Sequence, residues 1–514
     1  MKRRGRFAAV FRRFFFGLLL FIGALSFFAA KWYIEVYGQT GFDSVLFSLF
    51  SGVGDVQSGL ITAFLEEALF PAAVATVLVG GVFWFASDRR IVLRLGKTLR
   101  IPLFPLHRAV SGLLSVAFCG GCVWNAAKRV ELPAYVESRR QQTSLYVAEY
   151  VDPAEVNITF PEQKRNLIYL FLESMETTFL AREEGGALSH NAIPELYELA
   201  AENVNFSQSE GVGGSLSITG TTWTIAAMTA QTAGLPLRIP VGVDANAYGE
   251  GTTILPYAVS LNDILHEAGY RQALMVGSRA EYGGRARYFT HHGVDRIYDV
   301  DTAKAEGYIP EDYWVWWGME DEYLYAYAKD KIADMAADGQ PFAFTMLTVD
   351  THHVGGYHCD LCGDEYAEDY ENVYACASRQ LAAFLGWIQA QDFYENTTVV
   401  ITGDHPSMDW EYMRRNIFSE GDYLRHVYNC FVNAAVQPAD GAEKSRDFLS
   451  FDMFPTVLAS IGCEIEGDRL GLGVNLFSGV PTLYETYGYD YLDAELSKSS
   501  TDYDRRFLWG LDGE

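Results

Sequence analysis

Basic residues are scarce over most of this chain. Its 514 residues carry 39 Lys and Arg against 66 Asp and Glu, a formal charge of −27. The deficit is uneven. Residues 1–126 hold 13 basic and 6 acidic side chains, a balance of +7, so the remaining 388 hold 26 and 60, a balance of −34. So acidic a surface argues against nucleic acid as a partner, because phosphate backbones need a basic face. Internal repeats and low-complexity tracts are also missing, and 14% aromatic within 49% hydrophobic residues excludes a disordered chain. Cysteine is limited to seven residues. No second Cys-x-x-Cys accompanies His358-Cys359-Asp360-Leu361-Cys362, so a four-thiolate site built from two such pairs is excluded. The run reads as a redox or zinc motif, or as part of a loop disulfide using two of Cys359, Cys362 and Cys376. Cys119 and Cys122 lie in an apolar run and read as packing residues.

Charge is nearly absent from three long apolar runs. Phe14–Tyr33 contains only Lys31, and Ala68–Ala86 and Ala109–Ala127 contain none. Each is close to the ~20 residues that a helix needs to cross about 30 Å of hydrocarbon. The alternative is three buried core helices. Basic residues set the orientation. Lys2, Arg3, Arg4, Arg6, Arg12 and Arg13 precede the first run, residues 34–67 have no Lys or Arg, and Arg89, Arg90, Arg94, Lys97, Arg100 and Arg108 fill the segment 87–108. This alternation predicts a multi-pass membrane protein with its N-terminus inside and its acidic part outside. The Gly- and Ser-broken stretch 41–62 reads as a re-entrant or an interfacial segment.

Beyond the membrane region, residues 128–160 are polar and irregular and read as a linker. Short apolar runs then alternate with helical stretches. Asn166–Leu172, Gln272–Val276, Phe342–Val349, Thr397–Ile401 and Val427–Asn433 have the continuous apolar character of strands buried on both faces. Val373–Ala390 and Phe451–Ile461 have helical character. The alternation predicts an α/β fold with a largely parallel central sheet. The expected organisation is a membrane domain over 1–127 with about three spanning helices, the linker 128–160, a catalytic domain over 161–495 and a C-terminal tail over 496–514.

Three distant motifs carry candidate chemistry. Asn-Leu-Ile-Tyr-Leu-Phe-Leu ends at Glu173, and Val-Val-Ile-Thr-Gly ends at Asp404-His405. A carboxylate at the end of a buried strand needs a cation or donors around it, so Glu173 reads as a metal ligand or as a cap of the next turn. Adjacent Asp404 and His405 offer one oxygen and one nitrogen to a single ion, or form a turn with a satisfied His. Gly220-Thr-Thr-Trp-Thr224 is a loop feeding the helical stretch Ile-Ala-Ala-Met. Thr224 reads as an N-cap or as a nucleophile at a helix N-terminus suited to phosphate. A Thr hydroxyl attacks well only when a base or metal activates it.

As a set, these motifs resemble the lipoteichoic acid synthase and phosphoglycerol transferase family of the alkaline phosphatase/sulfatase superfamily, in particular its phosphoglycerol transferase I branch. The resemblance extends over about residues 150–490 and includes Trp223-Thr-Ile-Ala, Phe451-Asp-Met-Phe-Pro-Thr-Val-Leu and Asp468-Arg-Leu-Gly-Leu-Gly. It implies an alkaline-phosphatase-like α/β sandwich behind the membrane helices, in a bacterial cell membrane, with the catalytic domain extracytoplasmic. It implies Glu173, Thr224, Asp404 and His405 as metal ligands and Thr224 as nucleophile; that set of Glu, Asp and Thr oxygens with one His nitrogen fits one Mn²⁺ or Mg²⁺ better than a thiolate- or His-rich zinc site, with Zn²⁺ left open. It implies His352 in catalysis and substrate binding, His353 as its alternative, and Arg285, counted back from Gly293-Val-Asp, as the phosphate-binding residue. The Gly283-Gly284-Arg-Ala-Arg setting departs from the family pattern and leaves Arg287 as a competitor. The implied donor is phosphatidylglycerol, and the implied acceptor a glycan, glycolipid or teichoic acid. A phosphoethanolamine transferase is the rival enzyme, and a catalytically inactive surface-binding module the rival of another class. No Cys-x-Pro-x-Arg or Ser-x-Pro-x-Arg segment exists for a formylglycine sulfatase.

The basic-loop alternation predicts that protease added to intact protoplasts releases a fragment containing residues beyond 128. A fragment protected together with a cytoplasmic marker contradicts the orientation.

Overall fold

The computed structural model describes residues 2–38, 42, 45–46, 58–87, 90–95, 97–102, 107–238, 254–421 and 423–511. The chain divides into two compact units, one of residues 1–42 and 56–136, the other of residues 43–55 and 137–514. In the first unit the apolar runs form helices: α1 (Lys2–Tyr37), α2 (Phe70–Ser87), preceded by the helical turns Ser58–Phe64 and Leu65–Leu69, and α3 (His107–Arg129). Among the described residues, Arg13–Tyr37 and Leu60–Phe83 are long and apolar enough to cross a membrane. Helices α1 and α3 touch through small residues. A Cβ on Gly23 meets the Cys119 Cα at 2.7 Å, so the two backbones approach as closely as glycine permits. The stretch 41–62 lies largely outside the described residues.

The second unit is built on a seven-stranded sheet. Its strands are β1 (Asn166–Leu172), β2 (Gly214–Ser215), β3 (Arg271–Val276), β4 (Arg296–Tyr298), β5 (Phe342–Leu347), β6 (Thr397–Gly403) and β7 (Val427–Val432). Their spatial order is β2-β7-β6-β1-β5-β3-β4. Strands β6, β1, β5, β3 and β4 run parallel, whereas β7 is antiparallel to β6 and to β2. The five strands read from the sequence are present. The edge pieces β2 and β4, at two and three residues, are too short for a periodicity signal.

Every residue of β1 is buried. Tyr169 and Phe171 enter one core with Ile225 and Met228 of α4 (Thr224–Ala233) and Phe454 and Val457 of α7 (Met453–Ser460). Ile168, Leu170 and Leu172 enter the other with Tyr327 and Ile332 of α5 (Asp321–Ala337) and Leu381 and Phe384 of α6 (Asp369–Gln389). Alternation along one strand thus feeds two cores, each fully buried apolar side chain contributing about 1.5–3 kcal/mol. The product is a helix–sheet–helix sandwich.

The segment 128–160, expected as an irregular linker, carries the short helices Leu132–Arg139 and Leu145–Glu149. Part of it packs on the C-terminal segment expected as a tail. Thr143 N donates to the Ser499 carbonyl at 2.9 Å, and the Tyr146 and Tyr503 rings are 5.1 Å apart.

One buried side chain ties α4 to the sheet. Gln231 accepts from the Tyr169 hydroxyl at 2.9 Å and donates to the Gly403 carbonyl at 3.0 Å. Gln231→Leu leaves the Tyr169 hydroxyl unpaired in the core, at about 1–3 kcal/mol, and leaves the Gly403 carbonyl with the Thr402 hydroxyl alone. A clear drop in the thermal unfolding temperature of the full chain in detergent is expected; an unchanged midpoint contradicts this role.

Candidate functional site

The site follows from strand register. Leu172 of β1 pairs with Gly403 of β6, so Glu173 and Asp404 leave neighbouring parallel strands at the same level. Phe171 pairs with Leu347 of β5 on the other side, which brings Thr348 and the segment 349–353 alongside. This is the carboxyl edge of the parallel strands, where α/β sheets gather their ligands. Just past Glu173, Ser174 adopts a left-handed conformation with φ 55°. Its N–H reaches Asp404 Oδ1 at 2.7 Å, and its hydroxyl donates to Glu173 Oε1 at 2.9 Å. Gly403 is required here, because a Cβ would lie 1.9 Å from the Met175 carbonyl oxygen.

Glu173, Asp404 and His405 offer ligand atoms that lie within 4.8 Å of one another, and all three residues are buried. His405 Nε2 is 3.4 Å from Asp404 Oδ2 and 3.6 Å from Glu173 Oε1. His405 Nδ1 donates to the Pro406 carbonyl at 2.9 Å, which leaves the Nε2 lone pair facing the carboxylates. Asp404 Oδ2 is fully buried and has no hydrogen-bond partner. Burial first, and Asp404 second, push the Glu173 carboxyl well above its ordinary range. An orphaned carboxylate oxygen, a second crowded carboxylate and an inward imidazole lone pair are the donor set of a divalent cation. The residues fit such an ion.

Thr224, the first residue of α4, completes the cluster. Its Oγ1 lies 3.3 Å from His405 Nε2. The other threonines of the loop are engaged elsewhere or stand apart. Thr221 is buried and bonded to the Ile218 carbonyl at 2.9 Å, and Thr219 is bonded to Asp493 at 2.7 Å. No such contact to His405 exists for Thr222 among the described residues. The α4 ladder begins with the Ala227 N–H on the Trp223 carbonyl, so the amides of its first turn point out of the helix N-terminus.

Arg285 is buried, and its charge is felt by Glu173, pulling that carboxyl down against the effect of burial. Its Nη2 donates to Ser278 Oγ at 2.8 Å and to the Arg279 carbonyl at 2.9 Å, while its Nε is buried without a partner. Arg287 is only half-buried. His352 packs against Trp317, with ring centres 4.6 Å apart, and its Nδ1 donates to the His353 carbonyl at 2.7 Å. Burial, helped by the charges of His405 and Arg285, drives His352 down to about 3. His353 is more deeply buried and is pushed well below its ordinary value by that burial.

Several supporting residues carry no sequence motif. Thr348 Oγ1 accepts from the Glu173 N–H at 2.9 Å. Buried Glu176 pairs with Arg425 and accepts from the Ser407 N–H at 2.9 Å, while Arg425 donates to the Ser407 carbonyl at 2.7 Å. The pair thereby fixes the turn that follows Asp404-His405. Asp321 accepts from the Val349 N–H at 2.8 Å and steadies the segment leading to His352. The only sequence signal for these groups is charge or hydroxyl next to a buried run. The expected disulfide in 357–376 is not formed: Cys359, Cys362 and Cys376 are free thiols.

Comparison with known proteins follows this geometry. Phosphoglycerol transferase I of Escherichia coli O139:H28 is 28% identical over 386 residues, which cover 72% of this chain and 48% of that protein. Phosphoglycerol transferase I of Citrobacter koseri is 26% identical over 488 residues, covering 90% of this chain and 60% of that protein. The chain thus spans about half the length of the first of these relatives. Among solved structures, the lipoteichoic acid synthase LtaP from Listeria monocytogenes aligns with TM-score 0.47 at 17% identity, over 63% of this chain and 79% of that one. The integral membrane protein lipooligosaccharide phosphoethanolamine transferase A from Neisseria meningitidis aligns with TM-score 0.49 at 14% identity, over 88% and 84%. The Sulfatase family matches residues 165–462, more than half of the sequence, and the chain belongs to that family.

Proposed function

We propose that this protein is a membrane-anchored phosphotransferase that moves glycerophosphate from phosphatidylglycerol to an acceptor hydroxyl. The observation that carries the reading is the 3.3 Å approach of Thr224 Oγ1 to His405 Nε2 beside Glu173 and Asp404. The named activity of the phosphoglycerol transferase I relatives supports the choice of group. The apolar helices of the first unit, and the basic residues flanking them, support a multi-pass anchor with the catalytic unit extracytoplasmic. The acceptor is a glycan, glycolipid or teichoic acid hydroxyl.

In this reading Glu173, Asp404, His405 and the Thr224 oxygen hold one divalent cation, with Mn²⁺ preferred for so oxygen-rich a set. When bound, it supplies positive charge that eases deprotonation of the Thr224 hydroxyl and neutralises phosphate oxygens. Thr224 Oγ1 attacks the phosphorus of the lipid and diacylglycerol leaves, giving a glycerophospho-threonine. An acceptor hydroxyl attacks this phosphodiester in turn and restores Thr224. The amides at the start of α4 bind the phosphoryl oxygens. Arg285, anchored through Ser278 and Arg279, faces the same charge with its guanidinium preset. His352 keeps Nε2 for the substrate, since Nδ1 is committed to the His353 carbonyl. Most of the rate enhancement in such a reaction is positioning and charge neutralisation.

Incubation with labelled phosphatidylglycerol followed by peptide mass spectrometry tests the reading. A glycerophosphate adduct on the peptide containing Thr224 is expected. Thr224→Ala should lose diacylglycerol release altogether, whereas Thr222→Ala should keep part of it. An adduct on Thr221 or Thr222, or consumption of phosphatidylethanolamine in place of phosphatidylglycerol, contradicts it.

His352 gives a second test. Its folded value of about 3 lies below the ordinary value near 6.5, so it stays neutral as pH falls through the range where an exposed His gains its proton. His352→Gln should lower the rate about tenfold or more, the size of one hydrogen bond made in the transition state, without changing the shape of the pH profile near neutrality. An acidic limb near pH ~6.5 that disappears in the variant contradicts this.

A further inference from the structure

Three thiols that the transfer chemistry does not use converge on one point. Cys359 and Cys362 lie in the segment joining β5 to α6, and Cys376 lies within α6. Cys359 Sγ is 3.6 Å from Cys362 Sγ and 3.7 Å from Cys376 Sγ, and all three sulfur atoms lie within 4.8 Å of one another. A tetrahedral cation with Zn–S bonds of about 2.3 Å sets its sulfur ligands about 3.8 Å apart. The thiols therefore already stand at ligand spacing. A disulfide would use two of them and leave the third without purpose, whereas a cation engages all three.

The surroundings suit thiolates. Gln380, one turn beyond Cys376 on α6, donates its side-chain amide to Cys376 Sγ at 3.4 Å and towards Cys359 Sγ at 3.8 Å. Such outer donors spread the charge of metal-bound sulfur. The Cys359-Asp-Leu-Cys362 turn is closed by the Cys362 N–H on the Cys359 carbonyl at 3.0 Å, the two-residue spacing of common zinc loops. Cys359 and Cys376 are buried, and Cys362 is half-exposed, so an ion has an entry side.

We propose that Cys359, Cys362 and Cys376 form a structural site for a thiophilic divalent cation of the zinc class. The fourth position is taken by solvent. The site staples the segment that carries His352 and His353 to α6, and so holds the loop beside Glu173 in register. It is separate from the Glu173–Asp404–His405 cluster and stands whether or not the transfer reaction is correct.

The test uses the full chain, purified in detergent without chelator or reductant. A mercurial thiol reagent should release one zinc per chain from the wild type and none from Cys362→Ser, whose half-exposed position tolerates serine. Protein reconstituted with Co²⁺ should show a sulfur-to-cobalt charge-transfer band that Cys362→Ser lacks and that Glu173→Gln retains. Non-reducing peptide mapping that finds any two of the three cysteines joined overturns the proposal. So do three free thiols with no metal released by the mercurial, a measurement that needs no variant.

Discussion

Two carboxylates buried side by side, with Arg285 only partly answering their charge, are the constraint on which this structure turns. Glu173 and Asp404 are the first residues past a matched pair of parallel strand ends, so the register that builds the sheet also forces them together. Both are buried, and one oxygen of Asp404 receives no hydrogen bond. Burying like charges in this way is costly unless a cation or donors answer them. The protein supplies part of the answer in donors, from the Ser174 and His405 backbone to Asp404 and from the Ser174 hydroxyl to Glu173. The rest falls to the divalent cation proposed for this cluster, whose donor set the residues fit.

Other features serve this arrangement. Gly403 lets β6 pass close to the turn after Glu173. The left-handed Ser174 turns its N–H onto Asp404. Gln231 locks α4 to β1 and β6, and with it the position of Thr224 at the helix start. The buried Glu176–Arg425 pair holds the Pro406–Ser407 turn, so His405 cannot swing away from the carboxylates. A buried ion pair is a poor source of stability in itself; its value here is orientation. Each of these contacts bridges residues far apart in the chain, so the site is a property of the whole sandwich.

Much of this is legible in the sequence. The β1 and β6 runs announce themselves because both faces are buried and almost every residue is apolar, and their ends point directly to Glu173 and Asp404-His405. Choosing Thr224 among four neighbouring threonines rests on its place before Ile-Ala-Ala-Met, and it is the one that touches His405. Arg285 is distinguished from Arg287 only by burial and by its reach to Glu173, which depend on how α4, β3 and the turn after β3 pack. Glu176, Arg425 and Gln231 are invisible in one dimension, because an isolated polar residue shows its partner only after folding. The sequence groups Cys359, Cys362 and Cys376 but does not show their mutual geometry, because Cys376 meets the other two only once α6 docks. The segment 128–160 reads as a linker for its polarity, while its few apolar anchors, such as Tyr146, pack against residues some 350 positions later.

The central claim is that Glu173, Asp404 and His405 hold one hard divalent cation beside Thr224. The most direct measurement is titration of the metal-stripped full chain with Mn²⁺, following the paramagnetic resonance signal of the free ion. The account predicts that the wild type withdraws one Mn²⁺ per chain and that Asp404→Asn and Glu173→Gln withdraw none at the same concentrations. Equal uptake by all three proteins would contradict it.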